Sequence, residues 1–293
     1  MMKEGQKIDF NALIRLLDDP DRRVFDEVSA RLRDFGPAII PELEKAWEGS
    51  FNQVVQERLE NIIEEIQSSN TRKALAQWAG SASKNIFEGA FIIAKMQYPD
   101  LKYSDLDQSI EKIRKDVWLE LNDRLTALEK VRMINHIMYD VYGFKPNRTS
   151  FYAPQNNYIN IVLDSKLGNP ISLSLIYQEV ARRLSLPVYS VLLPGQFILA
   201  YVDPYVERPL ELKDPDRILF YIHPFNRGYV LGKKEIDEYL KEQNIESSDH
   251  YYLPSDSVKV VSRLINNLIF AYNKLGYPEK VTFYKELHQL LRK

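Results

Sequence analysis

The chain has 293 residues, with 39 Lys and Arg against 41 Asp and Glu, and it contains no cysteine. That length can bury a sizeable core and suggests two or three folded units, while a formal charge of -2 supplies no global field of the kind that draws proteins to nucleic acid or anionic membranes. The missing cysteine excludes disulfides, zinc–thiolate sites and every thiol nucleophile in one step.

No apolar run reaches the length of a membrane span, and MMKEGQKIDF lacks the apolar centre of a signal peptide, so the expected compartment is the cytoplasm. Residues 11–67 carry helical periodicity, with Val24, Val28, Leu32 and Phe35 on one stripe and Val55, Leu59, Ile62, Ile63 and Ile66 on another. Pro20, Gly36-Pro37 and Gly49 punctuate them. DRRVFDEVSARL (21–32) lies over NQVVQERLENII (52–63) with Val24 on Val55, Val28 on Leu59 and Leu32 on Ile63. This similarity resembles two degenerate HEAT-type repeats; a plain helical bundle or cap accounts for the pattern equally well. Either arrangement packs or binds and does no chemistry.

The polar stretch QSSNTRK (67–73) is expected to separate this region from a second helical block, 74–142. There Glu88-Gly89-Ala90 interrupts an apolar run, Pro99-Asp100 marks a turn, and Leu106, Ile110, Ile113, Val117 and Leu121 continue a helical stripe. After Gly143-Phe144 the texture changes to aromatic and Asn-rich loop residues, and the triplet Asn147-Arg148-Thr149 is expected to be surface loop only. The next stretch, LGNPISLSLIYQEVARRLSLP (167–187), reads as a capped helix. Asn169 suits the N-cap, Pro170 has the φ of a first helical residue and no N–H to leave unpaired, and Ile171, Leu175, Val180 and Leu184 follow helical spacing around Ala181. VYSVLLP, FILAYVD and ILFYIHPF then read as strands of a small antiparallel sheet, which with the helices makes an α+β fold. From residue 257 the pattern is again helical, with Leu264, Ile265, Leu268, Ile269 and Tyr272 on one face, a break at Gly276 and Pro278, and Val281, Tyr284, Leu287 and Leu291 on a second: a helical hairpin.

The order EGAFIIAKMQYPDL, YGFKPN, FYAPQNNYINIVLDSKLGNPISLSLIYQEVARRLSLPVYSVLLPGQFILAY and YIHPFNRG resembles the bacterial SirB-type transglutaminase-like family, over roughly residues 74–240. The tail resembles the tetratricopeptide-like helices that follow that core in the family. Together with the internal similarity of the first region, the resemblance gives an expectation of three parts: a HEAT-like helical region (1–70), a transglutaminase-like, papain-like core with its preceding helices (71–250), and a tetratricopeptide-like hairpin (251–293). It also implies a Cys-His-Asp arrangement, in which a thiol at a helix N-terminus becomes a thiolate beside an imidazolium oriented by a carboxylate.

In this chain the three implied positions read Pro170, Gln196 (in Pro194-Gly195-Gln196-Phe197, where relatives have PGHF) and His223 (in His223-Pro224-Phe225, in place of a DPF turn). The expectation is a pseudoenzyme with no catalytic residue, no metal and no cofactor. Its vestigial cleft, lined by Asn157, Tyr158, Asn169, Ser172, Gln196 and His223, would hold a protein or peptide partner rather than nucleic acid or membrane.

A Ser-based hydrolase or acyltransferase is the competing expectation, with Ser172 as nucleophile and His223 as base. Against it, Pro170 and Ser172 point in different directions around a helix, and Gln196 is no base. The four histidines, His136, His223, His250 and His288, form no metal-ligand spacing, and no phosphate-binding glycine motif occurs. Phe151, Tyr152, Gln155, Asn156, Asn157, Tyr158, Tyr201 and Tyr205 are residue types of adaptable contact surfaces, but they suit a domain junction equally well.

Overall fold

The structure is a computed structural model that describes residues 10–292. Nearly all of MMKEGQKIDF, read above for a targeting signal, lies outside the described residues. The chain divides after Ala74 into two compact units.

The first unit contains α1 (Phe10–Arg15), α2 (Arg22–Asp34), α3 (Ile40–Gly49) and the beginning of α4 (Gln53–Gly80). Leu17, Leu32, Leu43 and Leu59 are fully buried at its centre. The internal similarity has a local cause in matching helix starts. Asp21 Oδ1 accepts from the N–H of Arg23 at 2.9 Å, and at the equivalent position Asn52 Oδ1 accepts from the N–H of Val54 at 2.9 Å.

QSSNTRK lies just before the division between the two units, but it separates them without a break in secondary structure, because it lies inside the 28-residue helix α4. No glycine or proline falls between Gln53 and Ala79 to break the helix, and the Thr71 hydroxyl donates back to the carbonyl of Gln67 at 2.9 Å. Polar composition alone does not end a helix.

In the second unit α5 (Ile86–Gln97), α6 (Tyr103–Glu120) and α7 (Ala127–Asn135) lead into a π-helical segment, His136–Val141. Gly89 sits inside the apolar run because a Cβ there would lie 2.7 Å from Val261 and 2.9 Å from Trp78. The short strand β1 (Lys145–Pro146) is followed by a 3-10 turn, Pro154–Asn157, then α8 (Ile159–Ser165), β2 (Leu167–Gly168) and α9 (Pro170–Arg183). β1 and β2 pair in parallel, which brings residues 145–147 against the start of α9.

A four-stranded antiparallel meander follows: β3 (Val188–Leu193), β4 (Gln196–Val202), β5 (Ile218–His223) and β6 (Tyr229–Leu231), in that spatial order. Then come α10 (Lys233–Glu242), α11 (Ser257–Leu275) and α12 (Pro278–Leu290). The α+β expectation therefore holds. Period-two alternation decides which sheet face meets what: Phe197, Leu199, Tyr201 and Ile222 belong to the main core with α9, while Ile198, Ala200 and Tyr221 pack with Ile236 and Leu240 of α10. β4 is covered on both sides, which explains its continuous apolar run.

The burial of α9 extends well beyond the stripe read from spacing. Ser172, Leu173, Ser174, Ile176, Tyr177 and Val180 point in all directions around it and are each 0% exposed. Even Glu179 is buried at 3% exposure, its carboxylate held by Arg182 and Arg183 at 2.8 Å each, with Arg183 also reaching Asp107 at 2.7 Å. α9 is the central helix of the unit, and the α11–α12 hairpin, joined through Gly276 at φ 77°, shares its core.

Candidate functional site

The start of α9 is built from three adjacent residues with separate roles. Gly168 lets the chain pass close to the helix, since a Cβ there would lie 2.7 Å from the Ser172 hydroxyl and 2.9 Å from both Leu173 and Val162. Asn169 caps the helix by accepting from the N–H of Ser172 at 2.9 Å, and the Ser172 hydroxyl accepts in return from the N–H of Asn169 at 3.0 Å. Pro170 opens the helix without an N–H to satisfy. The Asn169 amide also donates to Asn157 Oδ1 at 2.7 Å, and Asn157 donates to the carbonyl of Pro154 at 3.3 Å.

Gln196 is placed by a tight β3–β4 turn. Pro194-Gly195 connects the paired residues Leu193 and Gln196, and Gly195 takes φ 71°, a left-handed value that suits glycine. The Tyr239 hydroxyl holds the turn by donating to the Pro194 carbonyl at 2.7 Å, and burial raises that phenol's pKa.

These elements enclose a cavity of about 140 Å³. The loop after β1 supplies Phe151, Tyr152 and Asn157, the helix start supplies Asn169, Pro170 and Ile171, and the turn supplies residues 195–197. α11 closes it with Arg263, Asn267, Phe270 and Ala271. A void near 150 Å³ admits one benzene-sized group, so this space fits a single side chain. Phe151, Tyr152 and Phe270 remain 39%, 49% and 53% exposed at its mouth. They form a continuous aromatic surface, with ring centroids 5.0 Å apart for Phe151 and Tyr152 and 5.2 Å for Tyr152 and Phe270.

Of the residues expected at the cleft, the cavity brings together Asn157, Asn169, Pro170 and Gln196. Three others are corrected. Tyr158 is 1% exposed and belongs to the core, where its hydroxyl meets those of Tyr272 at 2.8 Å and Tyr284 at 2.9 Å; burial is the main cause that raises its pKa far above the usual phenol value. Ser172 is 0% exposed, and its hydroxyl is occupied with Asn169. His223 does not line the cavity. Its Nδ1 is buried without a hydrogen-bond partner among the described residues, and burial, aided by the charge of Arg148, lowers its pKa and keeps the ring neutral.

The turn that follows His223 is shaped from outside. Asn135 donates to the Gly228 carbonyl at 2.8 Å, Tyr139 donates to the Pro224 carbonyl at 3.0 Å, and Asp140 accepts from Arg227. Of the aromatic loop residues singled out from sequence, Tyr201 is core at 2% exposure, and Tyr205, at 88%, lies away from the cavity. Asn156 bridges the loop internally, donating to the Ser150 carbonyl at 2.7 Å and accepting from Asn147 at 2.8 Å. Asn147 of the surface triplet is thereby used to shape that loop.

Sequence reasoning missed α11 as a wall of the site. The signal was present in its spacing: Arg263, Asn267, Phe270 and Lys274 recur at intervals of four, three and four, one face of a helix distinct from the apolar face. Among the described residues no group of three or more His, Asp or Glu suits a metal ion, and no helix is long and apolar enough to cross a membrane.

Residues 103–266, more than half the chain, match the family model described as the transglutaminase-like superfamily. The chain belongs to the transglutaminase-like superfamily. The matched segment of this transglutaminase-like protein contains the capped helix start, the whole sheet and the Arg263 end of α11. The chain is 34% identical over 149 residues to a UPF0162 protein of Xylella fastidiosa, covering 51% of the chain and 49% of that relative. To UPF0162 protein YchA of Escherichia coli strain K12 it is 25% identical over 184 residues, covering 62% and 64%. To F-box only protein 21 of Mus musculus it is 35% identical over 159 residues, covering 54% of the chain and 23% of that protein. The chain thus spans about half or less of the length of the first of these relatives and of the mouse protein. No solved structure matches it.

Proposed function

We propose that this transglutaminase-like protein is a non-catalytic member of its superfamily, one that binds a peptide segment of a partner protein at the cavity between α9, the β3–β4 turn and α11. The observation that carries the reading is the chemistry of that cavity. Pro170 and Gln196 stand where the resemblance calls for a nucleophile and a base, Asn157 and Asn169 line the space beside them, and the chain has no cysteine to recruit. Amide side chains donate and accept without titrating, and exposed aromatics offer contact area at low entropic cost. Both suit recognition.

A Ser-based enzyme draws no support from the geometry. Its nucleophile, Ser172, is fully buried in a capping bond with Asn169, and His223 is not among the residues around the cavity. The order of motifs supports a place among SirB-type proteins, with HEAT-like helices in the first unit and a tetratricopeptide-like α11–α12 hairpin as additional partner surface in a cytoplasmic setting.

The test is selection from a random phage-displayed peptide library with the wild type and with Gln196→Trp, which fills the cavity. The expected result is a set of peptides enriched by the wild type and lost by the variant. Identical peptides from both proteins would remove the cavity from the account. An ester or amide hydrolysis abolished by Ser172→Ala, with the fold intact by circular dichroism, would replace binding with catalysis.

A further inference from the structure

Among the described residues Arg263 is the one charged side chain that lines the cavity, and the segments that supply the lining carry charge of one sign. The segments that enclose it, residues 143–158, 169–172, 193–197 and α11 (Ser257–Leu275), contain Lys145, Arg148, Lys259, Arg263 and Lys274 and not one Asp or Glu, in a chain whose formal charge is -2. Lys259 is matched by Asp256 just before α11, at 3.3 Å. Arg263 lines the cavity and has no carboxylate within salt-bridge distance among the described residues. At the rim, Lys274 Nζ stands 4.1 Å above the ring of Tyr152, and the Arg148 guanidinium lies 5.6 Å from the centre of Phe225, whose ring packs 5.8 Å from Phe151. The open groove of the first unit shows the contrast, since its lining carries Arg15 and Lys45 together with Asp18 and Glu42.

We propose that the cavity and its aromatic rim take an acidic peptide segment, one carboxylate side chain entering beside Arg263 while a neighbouring apolar side chain lies on Phe151, Tyr152 and Phe270. This rests on the peptide-binding reading above and narrows it to a chemical class. Mixed charges can satisfy one another within a surface, whereas a group of cations around an aromatic platform is complemented only from outside. The cavity volume sets the anchor at one side chain, and the half-buried Gln196 supplies a donor for the carboxylate oxygen that Arg263 does not take. A run of aromatics among cations also suits single-stranded nucleic acid. A walled space for one side chain favours the peptide, because base stacking uses an open groove.

The experiment is fluorescence anisotropy with three labelled probes: an octapeptide of alternating Glu and Phe with neutral ends, the same peptide with Gln in place of Glu, and a single-stranded oligothymidylate. The acidic peptide is expected to bind about tenfold or more tightly than the Gln peptide. Arg263→Ala should erase that difference, Arg263→Lys should restore part of it, and Lys45→Ala in the first unit should change nothing. Added salt should weaken the acidic peptide alone. Equal binding of the two peptides, both lost in Gln196→Trp, would overturn the acidic preference and leave the peptide-binding reading standing. If Gln196→Trp leaves both unchanged, both readings fall. Tight binding of the oligothymidylate with the same Arg263 dependence would replace the peptide with nucleic acid, and failure of the acidic peptide to bind at millimolar concentration would overturn the proposal outright. Melting curves of the Arg263 variants check that the half-buried position leaves the fold intact.

Discussion

The helix start at Asn169-Pro170 and the turn at His223 hold two of the three positions that the sequence resemblance assigns to catalytic chemistry, and they are held in opposite ways. At Asn169 the stabilising contacts are local: Asn169 and Ser172 cap each other, and Asn157, twelve residues earlier, completes the set. At His223 they are remote. Asn135 and Tyr139, 93 and 85 residues away from their partners Gly228 and Pro224, fix the turn, and the imidazole's buried Nδ1 has no hydrogen-bond partner among the described residues. The first position has become a self-contained structural element. The second depends on its surroundings.

Substitutions can break that comparison at either end. The largest effect is expected at the remote end, for Gly228→Ala. The backbone there has φ 71°, and an added Cβ would lie 1.9 Å from Oδ1 of Asn135, which is itself pinned by Tyr177 at 3.0 Å. The left-handed penalty and the clash together should cost about 3 kcal/mol or more in urea denaturation. A loss below about 1 kcal/mol would show that the end of α7 is free to move away, so that the turn is not imposed from outside.

Asn169→Ala comes next. It removes the cap and leaves Asn157 and Ser172 short of partners in a buried place, for an expected loss of about 2 kcal/mol. Asn169→Ser should keep a capping acceptor while giving up the bond to Asn157, and so lose less than the alanine variant, which separates the cap from the Asn157 contact.

The third prediction concerns pH. His223 has a pKa below its ordinary value of 6.5 because the folded protein buries it. The unfolded chain therefore binds a proton more readily, so the stability held above about pH 6.5 is lost as pH falls through the lowered value. His288, lowered by burial and by Arg292, adds to the same slope. Urea midpoints measured from about pH 8 down to about pH 5 should fall for the wild type and fall less for His223→Phe. An unchanged slope in the variant would assign the effect elsewhere.

The smallest change is expected for Pro170→Ala, within about 0.5 kcal/mol, because the cap comes from Asn169 and alanine is a good first-turn residue. A loss as large as that of Asn169→Ala would mean that the proline ring, rather than the cap, sets the helix start.

What was legible in the sequence follows the same division between local and remote. The Asn169-Pro170 helix start could be read because its capping partner Ser172 lies three residues on, and the strands because short runs of apolar, β-branched and aromatic residues match a sheet covered on both faces. The Gly276-Pro278 break likewise located the α11–α12 hairpin. Tyr158 could not be placed, since the hydroxyls that hold it come from Tyr272 and Tyr284, 114 and 126 residues later. Asn-rich, aromatic composition looked like one contact surface, yet the fold sends Tyr158 and Tyr201 into the core, leaves Phe151 and Tyr152 at the cavity and directs Tyr205 elsewhere. QSSNTRK marked the place where the units divide, but with no breaking residue in it the helix runs on through the division. Arg263 escaped notice because it lies 67 residues from Gln196 in the chain, and only the packed core brings the two to one cavity.

The account's central claim is that the space at the start of α9 is a recognition site for acidic peptide. The most direct measurement is a ¹H–¹⁵N chemical-shift titration of the labelled protein with the Glu-Phe octapeptide. The account predicts concentration-dependent shifts confined to residues 151–157, 169–171, 195–197 and 263–274, with the Arg263 side chain among them. Shifts centred instead on the mixed-charge groove lined by Arg15, Asp18, Glu42 and Lys45, with the cavity residues unmoved, would contradict it.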